Sequence, residues 1–149
     1  MTEIRFYHLE RSDIMQTLPA LLTKALSQGD NIIVQTDTVK HVEAINTHLW
    51  TFDAGSFLPH GAQKDGNAER QPIWITDKAE NPNAAQILIL VNGATNDNMG
   101  EYKLCCEMLD GRDTGAVQAA RERWKIYKEQ GFTITYWQQG LNGGWEKKV

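Results

Sequence analysis

The stretch Gln86-Ile87-Leu88-Ile89-Leu90-Val91 narrows most what this chain can fold into. A strand with one wet face alternates apolar and polar residues, and this run does not alternate. It reads as a central strand buried on both faces, as occurs where helices cover each side of a parallel sheet. The chain around it must therefore supply helices for two layers.

The N-terminal half has that pattern. Ile4-Arg5-Phe6-Tyr7-His8-Leu9 reads as a strand, and Ile14, Leu18, Leu21, Leu22 and Ala25 follow at helical spacing. Thr17 is the expected cap of this first helix, which leaves Pro19 in the first turn. Asn31-Ile32-Ile33-Val34-Gln35-Thr36 reads as a second strand, and Asp37 or Thr38 caps a helix striped by Val42, Ile45 and Leu49. In the middle, Ser56-Phe57-Leu58-Pro59-His60 reads as a short edge strand, residues 61–71 as a mobile polar loop, and Ile73-Trp74-Ile75 as a strand. Residues 102–109, with the adjacent Cys105 and Cys106, read as a short helix, and residues 113–130 as a long one. Gly131 ends that helix, Phe132-Thr133-Ile134-Thr135-Tyr136-Trp137 alternates as a last strand, and residues 140–149 form a loose glycine-rich tail. The expectation is one three-layer α/β domain over residues 1–139 with a flexible tail at 140–149. Its sheet is mainly parallel (mixed), with helices on both faces and a Rossmann-like topology that lacks a nucleotide site.

Several activities lack their residues. The turn after the first strand, Glu10-Arg11-Ser12-Asp13, has no glycine to let backbone N–H groups approach phosphate oxygens. Asn92-Gly93-Ala94 is a lone glycine turn, and no Gly-x-Ser-x-Gly elbow occurs. His8, His41, His48 and His60 are scattered without metal-ligand spacing, so no metal or other cofactor is expected. Neighbouring cysteines cannot bridge without strain and should be reduced. No apolar run is long enough to cross a bilayer, and the start reads directly into a strand without a signal peptide, so the default location is cytoplasmic.

The net charge is −4 over 149 residues, whereas a protein that grips nucleic acid usually shows a strong positive stripe. Here the cations gather locally at Arg112, Arg121, Arg123, Lys125 and Lys128, with Lys147-Lys148 near the end. Within the long helix, Arg121, Trp124 and Lys125 lie three and four residues apart and are therefore neighbours. A guanidinium, an indole and an ammonium suit a ligand that combines a carboxylate with an apolar side chain. A solvated basic face beside a core aromatic is the plainer alternative.

Separated pieces of the chain resemble the family of the chi subunit of bacterial DNA polymerase III, an accessory protein of the clamp loader. They are Phe6-Tyr7, Trp50, Ser56-Phe57-Leu58-Pro59-His60, Ala120-Arg121-Glu122-Arg123-Trp124-Lys125-x-Tyr127 and Gly131-Phe132. The resemblance implies a non-catalytic adaptor without nucleotide, which links the clamp loader to the C-terminal tail of single-stranded DNA-binding protein. It implies that Arg121 meets the terminal carboxylate of that acidic tail, Trp124 packs on its last side chain, and Lys125 attracts upstream aspartates. Trp124 stands where relatives often have tyrosine. Val117 and Ala120 either floor that pocket or face the core. Some relatives carry another basic residue a turn before the arginine, whereas Val117-Gln118 thin the positive field here. A second face at Trp50, Phe57 and Pro59 is implied for a psi-like clamp-loader subunit or a helicase-like protein, with DNA contacted mostly indirectly and no membrane involved. The competing readings are a small nucleotide-dependent enzyme of Rossmann-like fold and a weak direct binder of single-stranded DNA.

Overall fold

The computed structural model describes residues 2–10, 13–51, 58–140 and 144–148. In chain order these hold β1 (Glu3–Leu9), α1 (Ile14–Ser27), β2 (Ile32–Gln35), α2 (Val39–Thr51), β3 (His60–Ala62), β4 (Ile73–Thr76), β5 (Ile87–Leu90), β6 (Leu104–Asp110), α3 (Thr114–Glu129), β7 (Thr133–Gln139) and β8 (Trp145–Lys147). The strands lie side by side as β3-β4-β2-β5-β6-β1-β7-β8. Every pairing is parallel except the last, β7 with β8. The α/β, mostly parallel architecture is as the sequence implies, although the strand order is not that of the dinucleotide-binding fold.

The apolar run forms β5 and is buried along its whole length. Ile87 and Ile89 join Tyr7, Leu9, Val34, Cys106 and Met108 in the core under α1 and α2. Leu88 and Leu90 join Ile4, Phe6, Ile33 and Cys105 in the core under α3. Alternate residues of one strand thus feed two apolar layers.

β6 corrects the short helix expected at residues 102–109. Leu104, Cys106 and Met108 face one layer while Cys105 and Leu109 face the other. A strand buried on both faces shows no alternation of polarity, and a mixed apolar segment of that length does not distinguish the two states. The adjacent cysteines consequently point to opposite sides of the sheet. Burial pushes both thiols up to about 12, so neither is a thiolate at neutral pH.

α1 starts four residues earlier than a Thr17 cap would place it. Asp13 is its N-cap, accepting from the Gln16 N–H at 2.8 Å while the Gln16 side chain accepts from the Asp13 N–H at 2.9 Å. Pro19 therefore lies inside the helix and cannot donate to the Met15 carbonyl one turn back. His48 of α2 donates its Nε2–H to that carbonyl at 2.6 Å. The helix interior tolerates proline because another helix satisfies the orphaned acceptor. Thr38 caps α2, its hydroxyl accepting from the His41 N–H at 3.2 Å.

Two further expectations change. The edge strand comprises His60–Ala62 rather than residues 56–60, so Pro59 precedes it; Phe57 lies outside the described residues. The loop after it contains two short 3-10 turns, Gln63–Asp65 and Ala68–Arg70. Near the C-terminus, residues expected in a loose tail form β8, with Trp137 opposite Lys147 and Gln139 opposite Trp145. Trp145 packs edge-on against Tyr7 at 5.0 Å between ring centroids, and that aromatic contact fixes β8 on the sheet.

The turn from β6 into α3 depends on Gly111. A Cβ there would come within 2.1 Å of the His8 ring and 2.6 Å of the Leu9 carbonyl oxygen. Gly111→Ala should therefore lower stability by about 1–3 kcal/mol, read as a fall in the urea midpoint at unchanged slope.

Candidate functional site

α3 begins at Asp113, whose carboxylate accepts from the Gly115 and Ala116 N–H groups at 3.0 and 3.2 Å. Its sheet-facing side is defined by Ala120 and Tyr127, both buried in the core. Arg123 lies on the same side and ion-pairs with Glu107 of β6, which is only 2% exposed. Burial raises the Glu107 carboxyl above its ordinary range, while the Arg123 charge and hydrogen bonds from Arg123 and Tyr127 oppose that rise. Arg123 is thus committed to the interior of the protein.

That rotation of the helix turns a second ridge toward solvent along β7. Val117 and Trp124 are partly buried against the core, beside Phe132, Ile134 and Tyr136. Arg121, Lys125 and Lys128 are exposed and form no ion pair among the described residues. The Lys128 ammonium lies 4.8 Å from the centre of the Trp124 ring, at cation–π distance. The Arg121 charge acts on the Tyr136 hydroxyl, whose pKa burial raises and Arg121 lowers. Tyr136 is in turn held by His8, whose Nδ1 lies 2.6 Å from its hydroxyl and whose Nε2 lies 2.7 Å from a Glu10 carboxylate oxygen.

Several expected residues therefore meet: Arg121 and Trp124 lie on the ridge one turn apart, with Val117 half-buried at its base and Lys125 exposed at its outer margin. Ala120 is fully buried, so of its two open roles the structure gives the core. The cation over the indole is Lys128, which the spacing of four residues from Trp124 makes legible. Tyr136 was missed, because its place beside Arg121 follows from strand register rather than from proximity in sequence.

At the end of α2, Trp50 is 54% exposed and its ring centroid lies 4.6 Å from that of His60, the first residue of β3. His60 donates from Nδ1 to the Leu58 carbonyl at 2.6 Å, which fixes the ring that Trp50 leans on. Pro59 is half-buried beside it. Trp50 and Pro59 are thus close to one sheet edge.

In nucleotide-binding α/β folds the ligand sits outside the carboxyl ends of the strands. Here that place holds an open cavity of about 650 Å³, rimmed by Asp13, Asp37, Asp110 and Asp113. The backbone N–H and guanidinium of Arg112 hold the Asp110 carboxyl below its usual range. Four carboxylates repel a phosphate, and among the described residues the arginine at the wall, Arg123, is held by Glu107. Among the described residues no group of three His, Cys, Asp or Glu side chains could hold a metal ion, and no helix is long and apolar enough to cross a membrane.

The described residues thus form a mostly parallel α/β domain with an aromatic ridge flanked by cations and with aspartates at its strand ends. A family model described as DNA polymerase III chi subunit, HolC, matches residues 1–135. The chain belongs to that family, and with it to the non-catalytic accessory subunits of a replicative polymerase. It is 30% identical over 92 residues to a Rickettsia prowazekii protein named "Probable DNA polymerase III subunit chi", covering 62% of this chain and 56% of that one. It is 24% identical over 138 residues to the Pseudomonas aeruginosa DNA polymerase III subunit chi, covering 90% and 94% of the two chains. To the Escherichia coli subunit of the same name it is 22% identical over 142 residues, covering 90% and 96%.

The Arg123–Glu107 pair gives a test of how α3 is seated. Arg123→Met should destabilise the protein by about 3–5 kcal/mol at pH 7, because a buried carboxylate loses its partner. Its folded pKa then stands further above the unfolded value. The lost stability should return as pH falls toward the unfolded value and be absent once pH rises through the folded one. Urea unfolding between acid and neutral pH reads this, and the Glu107→Gln/Arg123→Met pair should flatten the dependence.

Proposed function

We propose that the α3–β7 ridge binds the acidic C-terminal tail of single-stranded DNA-binding protein, so that this chain links that protein to the clamp loader. The observation that carries the reading is the clustering of three exposed cations, Arg121, Lys125 and Lys128, around the half-buried indole of Trp124. Arg121 offers a planar fork to a terminal carboxylate. The Trp124 ring and Val117 give the last side chain of the tail an apolar support, and Lys125 and Lys128 attract its aspartates. No covalent chemistry is required, and the buried thiols could supply none.

Direct DNA binding is less well supported. Of the five cations clustered on and before α3 in sequence, Arg112 pairs with Asp110 and Arg123 with Glu107. The remaining three make a short patch on an acidic body, too small to track a nucleic-acid backbone. A nucleotide-dependent reaction is disfavoured by the aspartates at the strand ends.

The second partner, a psi-like clamp-loader subunit or a helicase-like protein, would dock at Trp50 and Pro59. An exposed tryptophan next to a sheet edge is the kind of anchor that interfaces use. Work of this type places the protein in the cytoplasm, where replication occurs. Trp50→Arg should abolish co-elution with the psi-like subunit while leaving tail binding within twofold.

The tail reading predicts calorimetric binding of a peptide with an acidic run and an aromatic C-terminus, with a Kd on the order of micromolar. Affinity should fall with added salt, since exposed charges are screened over about 8 Å in physiological salt. Arg121→Ala, or amidation of the peptide terminus, should weaken binding at least about tenfold, as expected for loss of a charge-assisted fork. Unchanged affinity in either case would overturn the assignment of Arg121.

A further inference from the structure

We infer that β8 forms a second wall of the α3–β7 ridge and that Lys148 is a further cation for an acidic peptide bound there. The inference rests on the tail-binding reading above and extends it to residues past the span matched by the family, which ends at residue 135.

The argument is one of register. Lys147 is paired with Trp137 across β7 and β8, and the Lys148 N–H donates to the Tyr136 carbonyl at 2.8 Å, which carries the pairing one residue further. Residues opposite each other on antiparallel strands share a face, and successive residues alternate faces. Lys148 therefore lies on the side of Tyr136, where α3 packs, and Lys147 lies on the side of Trp137, away from α3. Tyr136 is also the residue on which the Arg121 charge acts. A cation from the helix and a cation from the last strand thus lie on the same side of the sheet as Tyr136.

Charge points to the occupant. The turn of α3 before Arg121 presents Val117 and Gln118, neither of them charged, so the helix alone leaves this end of the ridge weakly positive. Lys148 supplies positive charge from the opposite wall. Its present partner is Glu146 two residues away, at 3.0 Å, with both side chains about half exposed or more. An exposed pair of this kind is weak, and a carboxylate of an incoming peptide can take the place of Glu146. β8 is no stray segment, since Trp145 seats it against Tyr7. An acidic peptide lying between Arg121 and Lys148 meets cations on two sides and the Tyr136 and Trp124 rings beneath.

Two neighbouring lysines on opposite faces provide the test. The full-length protein, Lys148→Glu and Lys147→Glu are titrated against a fluorescent acidic peptide with a free C-terminal phenylalanine, at low and high salt. Both variants change net charge equally. Lys148→Glu should weaken binding about fivefold or more at low salt, with a smaller difference at high salt, while Lys147→Glu stays within twofold. Lys148→Met, which keeps the aliphatic stem for packing, should show about half of the effect in logarithmic terms. Equal losses in the two charge-reversed variants, or none in Lys148→Glu, would overturn the role of Lys148 and leave the tail site standing. Failure of the unaltered protein to bind would overturn the tail site and this inference together.

Discussion

The rotational setting of α3 is the constraint on which the rest depends. Ala120, Arg123 and Tyr127 lie three, four and seven residues apart, which puts them on one side of a helix, and all three are turned to the sheet. Once they are, Arg121 and Trp124 must face sideways toward β7, and Lys125 outward. An apolar trio could also stick to the sheet, and buried ion pairs add little net stability over apolar replacements. What Arg123 and Glu107 provide is register: any other rotation of the helix leaves the Glu107 carboxylate buried without its cation.

How far the sequence reveals this differs by element. β5 and α3 were legible because an unbroken apolar run and a long helical stripe each have one comfortable structure. Arg121 and Trp124 were legible as a site because helix neighbours are also sequence neighbours. β6 was not, since a strand buried on both faces shows no period, and its cysteines fit either state. β8 was hidden behind three glycines, and its identity as a strand depends on an aromatic contact with Tyr7, distant in sequence. The start of α1 was misplaced because Pro19 seemed to demand a first-turn position, and only a neighbouring helix could offer the His48 donor that relieves it.

The same distinction explains why the fold invites a wrong function. The sheet has a cavity at the carboxyl ends of its parallel strands, where enzymes of this architecture hold nucleotides. Its four aspartates are nonetheless engaged in structure: Asp13 and Asp113 cap helices, Asp37 accepts from the Thr36 hydroxyl and pairs with His41, and Asp110 anchors the β6–α3 turn through Arg112. A carboxylate that completes a helix N-terminus satisfies the N–H groups that would otherwise greet a phosphate. The framework is thus sealed by its own caps.

Charge is accordingly divided over the molecule. Carboxylates collect at the strand ends and cations collect along α3, so a net charge of −4 coexists with a locally cationic ridge. An acidic body repels nucleic acid over a longer range than a patch of three cations can attract it, whereas a short peptide needs to approach only the patch. On the tail-binding proposal, selectivity for a protein tail over DNA rests on that geometry, with the aromatic surface of Trp124 and Tyr136 adding a demand for an apolar terminus that a phosphate backbone cannot meet.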